Sequence, residues 1–310
     1  MTVSDLSALT IGFSVEAGGG NDIVKGGSSN DSLTGGHGDD TIDGGSGSGS
    51  DGINGGSGAN VLNGGFGDDQ FNVYEESTNA IDGGEGYDVL HLDRTSSLLD
   101  WTIDFRDPGT MQVLADGSTL VNVESASYVR LGTGADIVFG GASNEYFLGG
   151  DGNDSLDGGV GRDNLYGEGG DDRLFSRLGE GADVIDGGAG TDVAFVDRSS
   201  ATRSFVLDLG DPALTSDLGD GTTIVLVERI EFLAGSGNDQ LTGGVLADAL
   251  SGATGRDLID GGAGDDTIGG GYGTDILDGS YGNDTVLGGS GIDIIDGGDG
   301  DDMIDGGSEA

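Results

Sequence analysis

Residues 234–305 read, in nines, AGSGNDQLT, GGVLADALS, GATGRDLID, GGAGDDTIG, GGYGTDILD, GSYGNDTVL, GGSGIDIID, GGDGDDMID. The eight units run on without insertion or deletion. The sixth place is Asp in every unit: Asp239, Asp248, Asp257, Asp266, Asp275, Asp284, Asp293 and Asp302. The eighth is always apolar, from Leu241 and Leu250 through Ile259, Ile268, Leu277, Val286 and Ile295 to Ile304. Glycine dominates places one, two and four. A fixed period with chemistry assigned place by place marks a repeat architecture.

The spacing has a physical reading. Glycines open backbone angles closed to other residues, so the first six places can turn tightly. The last three, with an apolar residue between two others, suit a short strand whose middle side chain points inward. Two units then make one coil of eighteen residues, and coils stack at strand spacing, roughly 4.8 Å. Columns of Asp carboxylates and Gly carbonyls result, and these are hard oxygen ligands suited to Ca²⁺. The expected fold is all-β: a parallel β-roll, or β-solenoid.

The pattern GGxGxDx(apolar)x resembles the RTX (repeats-in-toxin, haemolysin-type) calcium-binding nonapeptide of secreted bacterial proteins, and the resemblance covers most of the chain. It implies a ligand set. Carbonyls at places two and four and the Asp at six come from one turn; carbonyls at one and three and the Asp come from the turn two units on. In the third array this gives Gly262, Gly264 and Asp266 with Gly279, Tyr281 and Asp284, and Gly271, Gly273 and Asp275 with Gly288, Ser290 and Asp293. Gly235, Gly237 and Asp239 face Gly252, Thr254 and Asp257 in the same scheme. Asp257 also joins Gly270, Tyr272 and Asp275, Asp248 joins Asp266, and Gly282 with Asp284 joins Gly297, Asp299 and Asp302.

Two further arrays carry the same pattern. The first, within 17–80, supplies Gly18, Gly20 and Asp22 with Gly35, His37 and Asp40, together with Asp31 and Asp69. Its fourth unit, 44–54, has eleven residues, which predicts a bulged turn; Asn60 replaces Asp in the fifth; and 73–80 breaks the period. The second, 131–195, supplies Gly132, Gly134 and Asp136 with Gly149, Asp151 and Asp154, then Gly150 and Gly152 with Gly167, Gly169 and Asp172, and further on Asp163, Asp183 and Asp192. Glu145 takes the Asp place in one unit, and Ser176 and Arg177 are extra. About ten to fifteen Ca²⁺ ions are expected, with affinities of ~10⁻⁴–10⁻³ M typical of extracellular modules.

The remaining segments are a lead at 1–16, a lone unit with the first spacer at 81–130, and a second spacer at 196–233 before the third array at 234–310. The spacers are copies offset by 104 residues: Asp93-Arg94 matches Asp197-Arg198, Trp101 matches Phe205, Asp107-Pro108 matches Asp211-Pro212, and Val123-Glu124 matches Val227-Glu228. Alternation through Trp101, Ile103 and Phe105 and an Asp116-Gly117 turn predict strands. They read as β inserts covering the ends of adjacent rolls. The alternative is that Trp101, Phe105 and Tyr128 line a groove for an extracellular polysaccharide or cell-surface partner.

Composition sets the limits. The chain carries 57 acidic and 11 basic side chains, a formal charge of −46, and Lys25 is the sole lysine. Such a chain repels nucleic acid and anionic membranes. With 34% hydrophobic residues, charge of this size predicts disorder unless something neutralises it. Bound cations would do so and add their binding energy to folding. No cysteine is present, so disulfides and thiolate metal sites are excluded. The N-terminus shows no Sec-type signal, and no stretch approaches the ~18 apolar residues that cross a bilayer.

No catalytic motif stands out. HExxH, GxSxG and GxxxxGK[ST] are missing, and Gly47, Gly49 and Gly52 fit GxGxxG only inside the eleven-residue unit. His37 occupies a variable turn place and His91 follows the lone unit. The expectation is a secreted, non-enzymatic calcium-binding module, exported by type I secretion and serving as scaffold or spacer. The chain ends five residues after its last unit, where such proteins usually carry an export signal. That points to a piece of something longer, such as the C-terminal part of a secreted enzyme, or to a departure from the family plan.

Overall fold

A computed structural model describes residues 3–5, 10–74, 77–177 and 181–308. Leu178, Gly179 and Glu180, which open one repeat, lie outside the described residues, as does part of the lead. The described residues form strands and turns and no helix, hence none long and apolar enough to cross a membrane. Two compact units are distinguished: residues 1–152 with 158–160, and residues 153–157 with 161–310.

Within the first unit, Val3–Asp5, Ile23–Lys25, Thr41–Asp43, Ala59–Phe66, Thr78–Glu85 and Thr119–Val121 lie side by side, all parallel. Alternate strands of the chain form the other sheet, from Ser14–Gly19 through Ser32–His37, Gly52–Ser57, Gln70–Val73, Val89–Asp93 and Ser125–Arg130 to Tyr146–Asp151. The second unit repeats the plan. Its longest run, Ser155–Asp157 to Met303–Asp305, is parallel throughout. The eighteen-residue coil appears as register: Ile268 pairs with Val286, and Val286 with Ile304.

Side-chain alternation explains why a coil needs those places. Places six, eight and one point inward in turn. The eighth-place residues Leu33, Ile42, Leu62, Phe71, Leu250, Ile259 and Ile268, and Ile53 two after Asp51 in the long unit, are buried. Positive φ falls at places two and four, as in Gly262 (92°) and Gly264 (123°). Three non-glycine residues share the second-place conformation, Glu168 (70°), Ala253 (64°) and Ser280 (70°).

The period survives its irregularities. The eleven-residue unit bulges ahead of Asp51, and Ile53 still enters the core. After Val73 the chain rejoins the stack at Thr78–Glu85, where Asn79 pairs with Asn60 and Ile81 with Leu62. The break in period falls between Val73 and Thr78, and pairing resumes beyond it because a strand needs only its inward set to return in phase.

Each spacer ends one sheet and starts another while the opposite sheet runs through. In the first unit, Gln112–Val113 closes a sheet as an antiparallel hairpin on Thr119–Val121. Thr102–Asp104 opens a new sheet on Ile137–Phe139, and Ser125–Arg130 continues the old one. The second spacer does the same with Ser216–Asp217 against Thr223–Val225, and Val206–Asp208 against Gln240–Thr242. The expected covering of roll ends is correct for one face of each coil only.

Candidate metal centre

The sixth-place carboxylates form ladders. Each Asp Oδ1 accepts the backbone N–H of the Asp one coil earlier: Asp248 N–H donates to Asp266 Oδ1 (2.7 Å), Asp266 N–H to Asp284 (2.8 Å) and Asp284 N–H to Asp302 (3.0 Å). The first array shows the same bond from Asp22 to Asp40 and from Asp31 to Asp51, and the second from Asp154 to Asp172 and from Asp172 to Asp192. Apart from Asp302 at the end of its ladder, these side chains are almost wholly enclosed, Asp266 at 1% exposure and Asp192 at 0%.

The second oxygen of each carboxylate decides what the ladder can do. Oδ2 of Asp40, Asp69, Asp172, Asp257, Asp266, Asp275 and Asp284 is buried without a hydrogen-bond partner. A buried carboxylate oxygen with no donor is costly and calls for a cation. The space beside it is shaped by the first-place glycine. A Cβ on Gly261 would lie 2.5 Å from Asp266 Oδ2 and 2.9 Å from the carbonyl oxygen of Gly279. On Gly270 it would meet Asp275 Oδ2 at 2.7 Å and Gly288 O at 2.8 Å, and on Gly288 it would meet Asp293 Oδ2 and Gly306 O, both at 2.9 Å. A carboxylate and a carbonyl oxygen, both hard ligands, thus converge on room that any side chain would fill. The residues present fit Ca²⁺.

Some oxygens are already engaged. Asp31 Oδ2 accepts Gly27 N–H (2.8 Å), Asp248 Oδ2 accepts Gly244 N–H (2.6 Å), and Asp183 Oδ2 accepts the Ser176 hydroxyl (2.6 Å). Main-chain ligands expected at places two and three hold neighbouring coils together. Tyr281 N–H donates to Gly262 O (2.9 Å), and Gly264 N–H to Tyr281 O (2.8 Å). Gly132, Gly235 and His37 carbonyls accept in the same way from Asp151, Thr254 and Gly20. Each carbonyl retains a second lone pair. Gly18, Gly20, Gly150, Gly152, Gly271 and Gly282 adopt the positive φ of the turn. Gly35 and Gly167 sit against Asp40 and Asp172, and Gly252 against Asp257. Among the described residues no three acidic or imidazole side chains cluster about one point. An ion held here would need carbonyl oxygens of neighbouring coils beside the carboxylates.

Burial governs the electrostatics. It pushes the carboxyls of Asp51, Asp266 and Asp192 up to about 7, and those of Asp136, Asp172, Asp248 and Asp257 up to about 6. The hydrogen bond each accepts from the backbone opposes this, and neighbouring carboxylates add to it in all but Asp248.

Four ladder members escaped the sequence pattern. Asp51 was hidden by the long unit, and Asp88 by its place in the lone one. Glu124 and Glu228, inside the spacers, accept the N–H of Asp88 (2.7 Å) and Asp192 (3.0 Å). Their recurrence at the same offset was the available signal. Elsewhere the ladder turns neutral: Asp40 N–H donates to Asn60 Oδ1, the Asn60 side-chain Nδ2 to Asn79 Oδ1, and Asn79 N–H to Ser118 Oγ. New ladders start where Trp101 N–H meets Asp136 and Phe205 N–H meets Asp239.

The aromatic groove is not formed as the alternative required. Trp101 and Phe105 are buried in the core, and Tyr128 stacks between His91 and Tyr146 at 4.7 and 5.7 Å. Open ring faces for a sugar are therefore lacking at these three residues.

The model of the RTX calcium-binding nonapeptide repeat (4 copies) matches residues 16–50, 46–73, 128–156, 148–180, 177–197, 243–277 and 278–310, well over half of the chain. No curated protein matches it.

Proposed function

Because the chain belongs to the RTX calcium-binding nonapeptide repeat family, we propose that this calcium-binding β-roll module folds on meeting extracellular calcium and serves as a secretion-coupled scaffold or spacer. The observation that carries the reading is the row of buried Oδ2 atoms of Asp40, Asp69, Asp172, Asp266, Asp275 and Asp284, without hydrogen-bond partners and each beside a carbonyl in a glycine-made cradle. Stacked without cations, the carboxylates repel one another and their second oxygens lack donors. With Ca²⁺ they become the seams of the coil, the carbonyls and carboxylates of successive turns supplying its oxygens.

The same physics suits export. A chain of charge −46 stays extended where free calcium is low, passes a type I secretion channel unfolded, and folds outside. About ten to fifteen ions would be held. The module acts by binding rather than by catalysis. We expect the chelated chain to be cut rapidly by a broad-specificity protease and the chain in millimolar calcium to be protected. Equal resistance in both conditions would remove the coupling. Turnover of an ester, peptide or glycoside by the purified chain would remove the non-enzymatic assignment.

A further inference from the structure

The geometry points to two calcium sites that a repeat Asp forms with a spacer rather than with another repeat: Asp88 with Asn122 and Glu124 in the first unit, and Asp192 with Leu226 and Glu228 in the second. The inference rests on the calcium-binding reading above.

Asp88 and Asp192 are each 0% exposed, and the Oδ2 of each is buried without a hydrogen-bond partner. In a regular coil the neighbouring oxygen is the first-place carbonyl two units on, five residues before the next Asp, as Gly279 stands before Asp284. The spacers have no such glycine. A Cβ on Gly83 would instead meet Asn122 O, with Asp88 Oδ2 at 2.5 Å. A Cβ on Gly187 would meet Leu226 O, with Asp192 Oδ2 at 2.6 Å. The cradle is thus rebuilt from a residue only two places ahead of the carboxylate. Glutamate, one methylene longer than aspartate, takes the ladder bond across that shortened turn.

The backbone turns left-handed to present these carbonyls. Asn122 has φ 52° and Leu226 φ 51°, a region that Asn enters readily and that a bulky residue such as Leu avoids, so Leu226 is the strained copy. Pinning bonds run from Asn122 N–H to Pro108 O (2.6 Å) and from Leu226 N–H to Pro212 O (2.7 Å). Strain held in place by its surroundings is characteristic of binding sites. The same arrangement appears twice, 104 residues apart, with different side chains on the left-handed residue. What the copies share is therefore the carbonyl and the Glu. On the opposite side of each spacer coil the ladder ends on a hydroxyl, Ser118 Oγ or Thr222 Oγ1, and the nearby Asp116 and Asp220 pair with Arg94 and Arg198 instead.

The test counts bound Ca²⁺ on the full 310-residue chain by equilibrium dialysis at saturating free calcium. Glu124→Gln with Glu228→Gln keeps an acceptor for the Asp88 and Asp192 N–H groups and removes only the charge. The double variant should bind two ions fewer than the parent, with its β signal at saturating calcium unchanged, and each single variant one fewer. A full complement in the variants would overturn the proposal and leave calcium binding by the repeats standing. A parent chain that binds no calcium would instead remove the broader reading. Collapse of either single variant would also overturn the proposal, since losing one ion among about ten does not unfold a stack of nearest-neighbour coils.

Discussion

Asp266 is held from both directions along its ladder, accepting Asp248 N–H on Oδ1 and donating its own N–H to Asp284. Asp302 accepts from Asp284 and is half-exposed. Removing Asp266 therefore deprives two coil junctions of a carboxylate, whereas removing Asp302 affects one. Asp266→Ala should raise the calcium midpoint of folding more, and broaden the transition more, than Asp302→Ala; equal shifts in a titration would show that the ladder does not share its ions. Gly35 tests the cradle without touching a carboxylate. Its backbone is outside the left-handed region, but a Cβ would strike Asp40 Oδ2 and lie 2.8 Å from Gly55 O. Overpacking of this kind costs about 1–3 kcal/mol, so Gly35→Ala should weaken calcium binding at that one site roughly fivefold or more and raise the calcium midpoint of folding. An unchanged midpoint would mean that the space is not used.

Along a ladder the charges act together, and pH reports on them. Folding raises these carboxyls, Asp266 to about 7 and Asp257 to about 6, against an unfolded value near 3.9. Between about pH 4 and 7 the metal-free stack then binds more protons than the unfolded chain, so its stability falls as pH rises through that window. Chelated protein should gain β signal on acidification from pH 7.5 to 5, while the calcium midpoint rises because protons compete for the same oxygens. Loss of β signal on mild acidification of the chelated chain would contradict the burial of these groups. The ladders were readable in the sequence wherever the nine-residue phase held, since one Asp and one apolar residue per unit specify both the inward face and the ligand. Asp51 and Asn79 were obscured because an insertion placed in a turn shifts the count without shifting the face. Glu124 and Glu228 were visible as duplicated residues, but their role depends on a carbonyl that only the shortened spacer turn brings near. Trp101 and Phe105 were correctly placed on one face of a strand. Alternation does not say whether that face meets the core or a ligand, and it meets the core.

For each compact unit, the central claim is that metal-free folding is unfavourable at neutral pH and that calcium reverses it. Hydrophobic burial amounts to about one large side chain per nine-residue unit, too little to order nine residues. Buried carboxylates with an empty-handed oxygen deepen the deficit. Cation binding is then folding energy, distributed over nearest-neighbour junctions as in other repeat proteins. The most direct measurement is far-ultraviolet circular dichroism of the purified chain at pH 7.5, combined with small-angle scattering, first in chelator and then in millimolar calcium. The account predicts an expanded chain with little β signal in chelator, and a compact β-rich protein once calcium is added. The same β signal and the same radius of gyration in both conditions would contradict it.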